Sequence, residues 1–354
     1  MHQNSHSVVI IGYGGMGSYH AKLIKDNERV KVVGTYDIDS VRAEASTQDG
    51  YRAYPSLEAV LEDKTVESIV IATPNDSHKE IAVRAFASGK NVICEKPVTM
   101  NVSEFEEMTA AAEEAGKVLM VHQNRRWDDD FLIIKQMYDQ KSIGDLFRIE
   151  SRVHGANGIP GDWRHMEVHG GGMLLDWGVH LLDQALFMID SKITSVSSRL
   201  SFILGDEVDD GFEATIQFEN GISYLIEVGT TNFITLPRWY VKGTEGTGII
   251  EDWSMTGRTV TRNREVEHVE PKPIQAGVGL TKTMAPPSEE ATITGVLPEP
   301  FRQPSSFYDN FADVLDGKAE PIVKNDQVLR VLNLIEAIFE GGRTGETIRD
   351  FDQY

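Results

Sequence analysis

Gly12-Tyr13-Gly14-Gly15-Met16-Gly17 follows directly on the apolar run Val8-Val9-Ile10-Ile11, and the reading of this junction decides the fold. It fits G-x-G-x-x-G. Gly12 permits a tight turn, Gly14 lets the backbone approach a pyrophosphate, and Gly17 lets the next helix pack closely on its strand. The free N–H groups and dipole of that helix then attract phosphate. The chain has 31 glycines, so the motif takes its meaning from its surroundings. A buried-type strand precedes it, a helix from Met16 to about Asp26 is predicted after it, and a second apolar strand, Val30 to Tyr36, ends in Asp37. A carboxylate there accepts hydrogen bonds from the adenosine ribose and repels a 2′-phosphate, which points to NAD rather than NADP. A plainer role for Asp37 is capping the helix that begins near Ser40.

With 354 residues the chain has room for two domains with separate cores. Its 40% hydrophobic and 25% charged residues are those of an ordinary globular protein. The net charge of −21 argues against nucleic acid, whose binding needs a basic surface. The single cysteine, Cys94, sits in an apolar run and reads as a core residue; one cysteine allows no disulfide within the chain, which suits a reducing cytoplasm. Met1 to Ser7 is polar and shows no signal-peptide pattern, and no run approaches the roughly 18 apolar residues of a membrane helix. A soluble, cytoplasmic protein is expected.

From Val8 to about Gln123, short apolar runs alternate with amphipathic segments, as a doubly wound parallel sheet covered by helices requires. The predicted strands are Val8–Ile11, Val30–Tyr36, a short one near Arg52–Tyr54, Ser68–Ala72, Asn91–Cys94 and Val118–His122, with a clear helix in Val102–Ala115 stopped by Gly116. Beyond Trp127 a helix to about Ser142 leads into segments of alternating polarity near Asp145–His154, Ile193–Leu204, Phe212–Glu219, Ile222–Thr230, Trp239–Gly243 and Gly248–Trp253. That pattern predicts a large, mainly antiparallel sheet with one covered face, the other being available for a homo-oligomer contact. The expected domains are therefore residues 1–124, a nucleotide-binding unit, and 125–354, an α+β unit. Residues 264–304 lack periodicity and read as a long loop, and two helices follow within 305–342.

Two strand ends carry unusual residues, and in such sheets ligands lie beyond the carboxyl ends of strands. One is Thr73-Pro74-Asn75-Asp76-Ser77-His78, where Asn75 or Ser77 can also simply cap the next helix; the other is Glu95-Lys96-Pro97. A third candidate is the Gly170–Asp183 stretch. On a helix, Asp176, His180 and Asp183 share a polar stripe, and a carboxylate one turn before an imidazole can fix its tautomer for general-base work. Histidines and cysteines nowhere show ligand spacing, so no metal is expected.

Taken together, the glycine fingerprint, Thr73-Pro74 with His78, Glu95-Lys96-Pro97 and the Gly-rich helix with Asp176 and His180 resemble the glucose–fructose oxidoreductase, inositol dehydrogenase and rhizopine-catabolism family (Gfo/Idh/MocA). Asn124-Arg125-Arg126-Trp127 and Thr283-Met284-Ala285-Pro286 are similar to a subgroup of it. The resemblance spans nearly the whole chain. It implies NAD-dependent hydride transfer to or from a secondary ring hydroxyl of a sugar, cyclitol or glycoside, such as C3 of a glucoside. It implies Lys96, Asp176 and His180 as the catalytic group, with either His180, oriented by Asp176, or Lys96 as the base. It also implies a cofactor set of Gly12, Gly14, Gly15, Met16, Gly17, Asp37, Thr73, Pro74, Asn75, His78, Glu95 and Lys96. Arg125, Trp163, Arg164 and His165, with Asp176 and His180, are the expected substrate contacts. The alternatives are an enzyme that recycles tightly bound NAD and a regulator of the same fold that senses nucleotide or sugar.

Overall fold

The computed structural model describes residues 5–267, 270–303, 305–349 and 351. Strands β1 (His6–Ile11), β2 (Val30–Tyr36), β3 (Ser68–Ile71), β4 (Asn91–Cys94) and β5 (Leu119–Val121) form one parallel sheet in the order β2-β1-β3-β4-β5. Val8 to Ile11 and Ile69 to Ile71 are fully or almost fully buried, as strands covered on both faces must be. Helices α1 (Gly15–Lys25), α2 (Ser40–Gln48), α3 (Leu57–Glu62), α4 (His78–Ala87) and α5 (Val102–Ala115) connect them. The strand order reverses beside β1, and the crevice there faces Gly12 and the ends of β3 and β4. α5 is capped as its sequence predicts, by Asn101 accepting from the Glu104 N–H and by Gly116 in the left-handed region at φ 59°.

After α6 (Asp129–Gln140), strands β6 (Leu146–His154), β7 (Ile193–Ser201), β8 (Gly211–Phe218), β9 (Ser223–Gly229), β10 (Trp239–Gly243), β11 (Gly246–Ile250) and β12 (Gly257–Arg262) build a second sheet. Its order, with the later β15 (Thr292–Gly295), is β15-β12-β11-β10-β6-β9-β8-β7; β6 and β9 run parallel and the other pairs antiparallel. Helix α7 (Val179–Met188) packs on this sheet. The fold class expected from the sequence is the one observed.

The stretch read as a loop holds a hairpin, β13 (Ile274–Ala276) with β14 (Gly279–Thr281), and β15 (Thr292–Gly295), which adds to β12 at the sheet edge. Three or four residues are too few to display alternation, and pairing with the neighbour supplies their order. Near Arg52–Tyr54 only a bridge from Ala53 to Thr35 forms, for the same reason. Helix α8 (Phe307–Leu315) was expected in the second unit. It packs against β2; Arg29, just before that strand, pairs with Asp313 at 2.7 Å, and Phe311 is fully buried. Helix α9 (Asn325–Thr344) buries Val328, Leu332, Ile335 and Ile338 against the second sheet and α7, about 1.5–3 kcal/mol for each side chain.

One buried ion pair locks the site-bearing turn. Arg126, 1% exposed, donates Nε to Asp183 at 2.8 Å and Nη2 at 2.6 Å, while its Nη1 reaches the Ile322 carbonyl and Gln327. Removing the acid would strand a buried guanidinium. Asp183→Ala is therefore expected to lower unfolding stability by about 3–5 kcal/mol, read from the midpoint of chemical denaturation. A loss below 1 kcal/mol would mean that the pair is solvated in solution.

Candidate active site

The glycine turn matches its sequence logic. Gly12 has φ +88°, and a Cβ there would lie 2.6 Å from the Ala72 carbonyl oxygen; one on Gly17 would lie 1.9 Å from the Gly12 carbonyl oxygen. Above Gly15 a Cβ meets nothing within 4 Å, and Gly14 has only the tip of Arg42 at 3.5 Å. No side chain caps α1 and its first turn holds no acid, so the amides of Gly15, Met16 and Gly17 face a place suited to a pyrophosphate. Asp37 ends β2 with its carboxylate steered by two backbone donors, Tyr13 N–H at 2.6 Å and Asp39 N–H at 2.8 Å. The cap of α2 is Asp39, accepting from Val41, and not Asp37.

Across the crevice, Lys96 extends from the end of β4 to Asp176. Its Nζ donates to the Asp176 main-chain oxygen at 2.9 Å and approaches the carboxylate Oδ1 at 3.4 Å. The Lys96–Pro97 peptide is cis. Arg164 Nε lies 3.3 Å from the same Oδ1 and is itself fixed by Asp162 at 2.7 Å and by stacking over Trp163 at 4.7 Å. His180 is 5% exposed and its Nδ1 is buried without a hydrogen-bond partner. Burial, then the positive charges of Lys96 and Arg125, hold its imidazole well below the ordinary histidine range, with Glu95 opposing. A neutral imidazole with a free nitrogen beside a cation can accept a proton from a hydroxyl.

The Asp176–His180 pairing expected from helical spacing is not the one formed. Leu174–Gly178 is a π-helical turn that runs into α7, and its extra residue per turn rotates Asp176 toward Lys96 and Arg164. Asp183, the third member of the expected stripe, goes to Arg126. The start of this turn is held by Asp209, whose carboxylate accepts from the Leu174 N–H at 2.9 Å and is pushed up to about 7 by burial.

Several residues expected at the cofactor turn inward. His78 is fully buried, with its ring nitrogens on the Thr73 and Pro97 carbonyls at 2.9 and 3.0 Å. Asn75 donates to the Gly170 carbonyl at 2.9 Å, which ties the first sheet's edge to the Gly-rich segment. Thr73 pairs its hydroxyl with Ser77 at 2.7 Å, and Pro74 begins the short turn that leads into α4. Glu95 accepts from His20 Nε2 and His122 Nδ1, each at 2.7 Å; despite burial, these donors hold its carboxyl well below the usual range. His20 also meets the Tyr308 hydroxyl of α8. Buried polar groups must find partners, and these four satisfy one another beneath Lys96. Of the expected substrate residues, Arg125 stacks over Trp177 at 4.1 Å near His180, whereas His165 pairs with Asp206 at 3.2 Å. Sequence reading missed His20, His122, Tyr308 and Trp253, whose ring lies 5.9 Å from that of Trp177. A histidine on the sheet-facing side of α1 was the one local signal.

Fold and site together define a two-domain, nucleotide-dependent oxidoreductase. Residues 6–123 match the oxidoreductase family Gfo/Idh/MocA with its NAD-binding Rossmann fold, and residues 131–249 match the Gfo/Idh/MocA C-terminal domain. The chain belongs to this family, and NAD is the cofactor of its first domain. It is similar to the crystal structure of an NAD-binding protein from Listeria innocua, at 59% identity and TM-score 0.96, over 98% of this chain and 100% of that one. It is 26% identical to the scyllo-inositol 2-dehydrogenase (NADP(+)) IolW of Bacillus subtilis (strain 168), over 96% of this chain and 95% of that protein. It is 28% identical to the scyllo-inositol 2-dehydrogenase (NAD(+)) of the same organism, over 63% and 67%. None of the described helices is long and apolar enough to cross a membrane.

The depressed His180 gives a direct test. The stability contributed by its neutral form is complete above pH about 6.5 and is lost as pH falls toward the lowered native value. In an NMR titration of labelled imidazoles, His180 should stay neutral through pH about 6.5, and Arg125→Gln should move its titration upward. An unchanged titration in that variant would leave burial and the Lys96 charge as the causes of the shift.

Proposed function

We propose that this protein is an NAD-dependent dehydrogenase acting on a secondary ring hydroxyl of a sugar, cyclitol or glycoside. The observation that carries the reading is the meeting of Lys96 Nζ, from the cofactor side, with Asp176 at 2.9 Å beside a neutral His180 whose Nδ1 is unpartnered. NAD bound at Gly12–Gly17 supplies the hydride acceptor. The His180 imidazole takes the hydroxyl proton, and the Lys96 ammonium stabilises the developing alkoxide. Asp176 acts on Lys96 and Arg164, holding both cations over the reacting carbon rather than orienting the histidine. Trp163 and Arg164 offer a stacking face and donors for ring hydroxyls. The inositol dehydrogenase relatives support the substrate class. The second sheet's open face, with Phe147 exposed, is the expected contact in a homo-oligomer.

A screen of sugars, cyclitols and glycosides, followed by absorbance of reduced nicotinamide, tests the reading. Lys96→Ala and His180→Ala should each lower kcat by about 10²-fold or more against the best substrate. Unchanged turnover in both would overturn the assignment, and slow turnover with retained cofactor would instead indicate recycling of bound NAD. Asp37→Ala should raise the NADP-to-NAD ratio of kcat/KM by about fivefold, since one carboxylate charge near the 2′ position is worth about 1 kcal/mol. Tighter binding of NADP than NAD by the unaltered protein would sink the role given to Asp37.

A further inference from the structure

A cavity of about 590 Å³, the size of a small-molecule site, opens beside Arg125. Its walls come from the start of α6, the turn between β11 and β12, and the segment before α8. Trp253 and Met255 project from that turn, and Met255 sits at φ +60°, a backbone region that a side chain this size rarely adopts. Such strain is kept where the surrounding structure has a use for it. The Trp253 indole is half exposed, although its ring lies 5.9 Å from Trp177, which in turn lies 6.0 Å from His180. Arg125 borders the cavity: its guanidinium lies over both indoles, Nη1 reaches Asp128 at 2.9 Å, and its Nε is buried without a partner.

The electrostatics select the ligand. Asp128, Asp129 and Asp130 converge here, yet each has its own arginine: Arg125 at 2.9 Å, Arg302 at 2.7 Å and Arg238 at 3.1 Å. Each acid of the lining is paired, Asp130 with an arginine outside the lining, so the site suits neither a phosphate nor an ammonium group. It is rich in acceptors, because a paired carboxylate keeps lone pairs for hydroxyl donors. An open indole face with paired acids and guanidinium donors is the chemistry that holds a neutral, polyhydroxylated ring. Two ring contacts through Trp177, of 5.9 and 6.0 Å, join Trp253 to His180, a span along which two linked sugar rings can lie side by side.

We propose that this cavity is a second-ring subsite, so that the substrate is a glycoside whose oxidised ring lies at Lys96 and His180 and whose other ring stacks on Trp253. The inference rests on the dehydrogenase reading for the first ring only; occupancy of the second is a binding property. Calorimetry on the NAD-loaded protein would compare hexose disaccharides of different linkage, each against its methyl monoglycoside. At least one disaccharide should bind about tenfold more tightly than its monoglycoside, and Trp253→Ala should erase that ratio. Asp129→Asn, which preserves shape, should reduce it severalfold and serves if Trp253→Ala does not fold. No disaccharide binding more tightly than its monoglycoside, or a ratio unchanged in both variants, overturns the subsite. Binding that follows these expectations without NADH formation from any of the panel would retain the subsite and remove the dehydrogenase reading.

Discussion

The contact on which the site depends is the donation from Lys96 to Asp176. A lysine ammonium only 13% exposed must be paired and hydrogen-bonded, and here both acceptors belong to one residue of the opposite domain. That demand fixes how the edge of the parallel sheet meets the Gly-rich turn. It is reinforced at the same edge by Asn75 on the Gly170 carbonyl and by Asp76 with His169 at 3.0 Å. The crevice between the sheets is thereby lined with cations, and burial together with those cations keeps His180 neutral.

Beneath Lys96 lies a second layer with little freedom. Glu95 shares one carboxylate oxygen between His20 and His122, and His20 passes on to Tyr308 of α8. Asp183 grips Arg126 just below Arg125, and Asp209 holds the beginning of the π-helical turn. Each of these buried groups is satisfied by a residue far away in the chain. The reactive side chains thus stand on a floor that is costly to deform.

Much of this was legible in the residues. The glycine turn, Asp37, the five parallel strands and most of the antiparallel ones lie where periodicity and turn chemistry put them, because those signals are local. Asp176 shows the limit. Its four-residue spacing from His180 is that of a helical pair, but a π-helical turn breaks the period, and the carboxylate finds Lys96, 80 residues away, instead. His78 and Glu95 were legible as motif residues but not as buried ones, since burial depends on what packs above them. The short strands of the long excursion after β12 were invisible because their order comes from an edge rather than from their own composition.

The sequence by itself determined the phosphate-binding turn, the carboxylate beyond β2, the succession of a parallel and a mainly antiparallel sheet, and the presence of a lysine at a strand end. These follow from backbone sterics and from the periods of helix and strand, which act over a few residues. Only the tertiary structure decided which charge meets which: Lys96 with Asp176 and not with solvent, Glu95 with two histidines, Arg125 between two tryptophans drawn from different elements. Such pairings are set by the desolvation cost of buried polar groups, which is settled only when distant segments pack together.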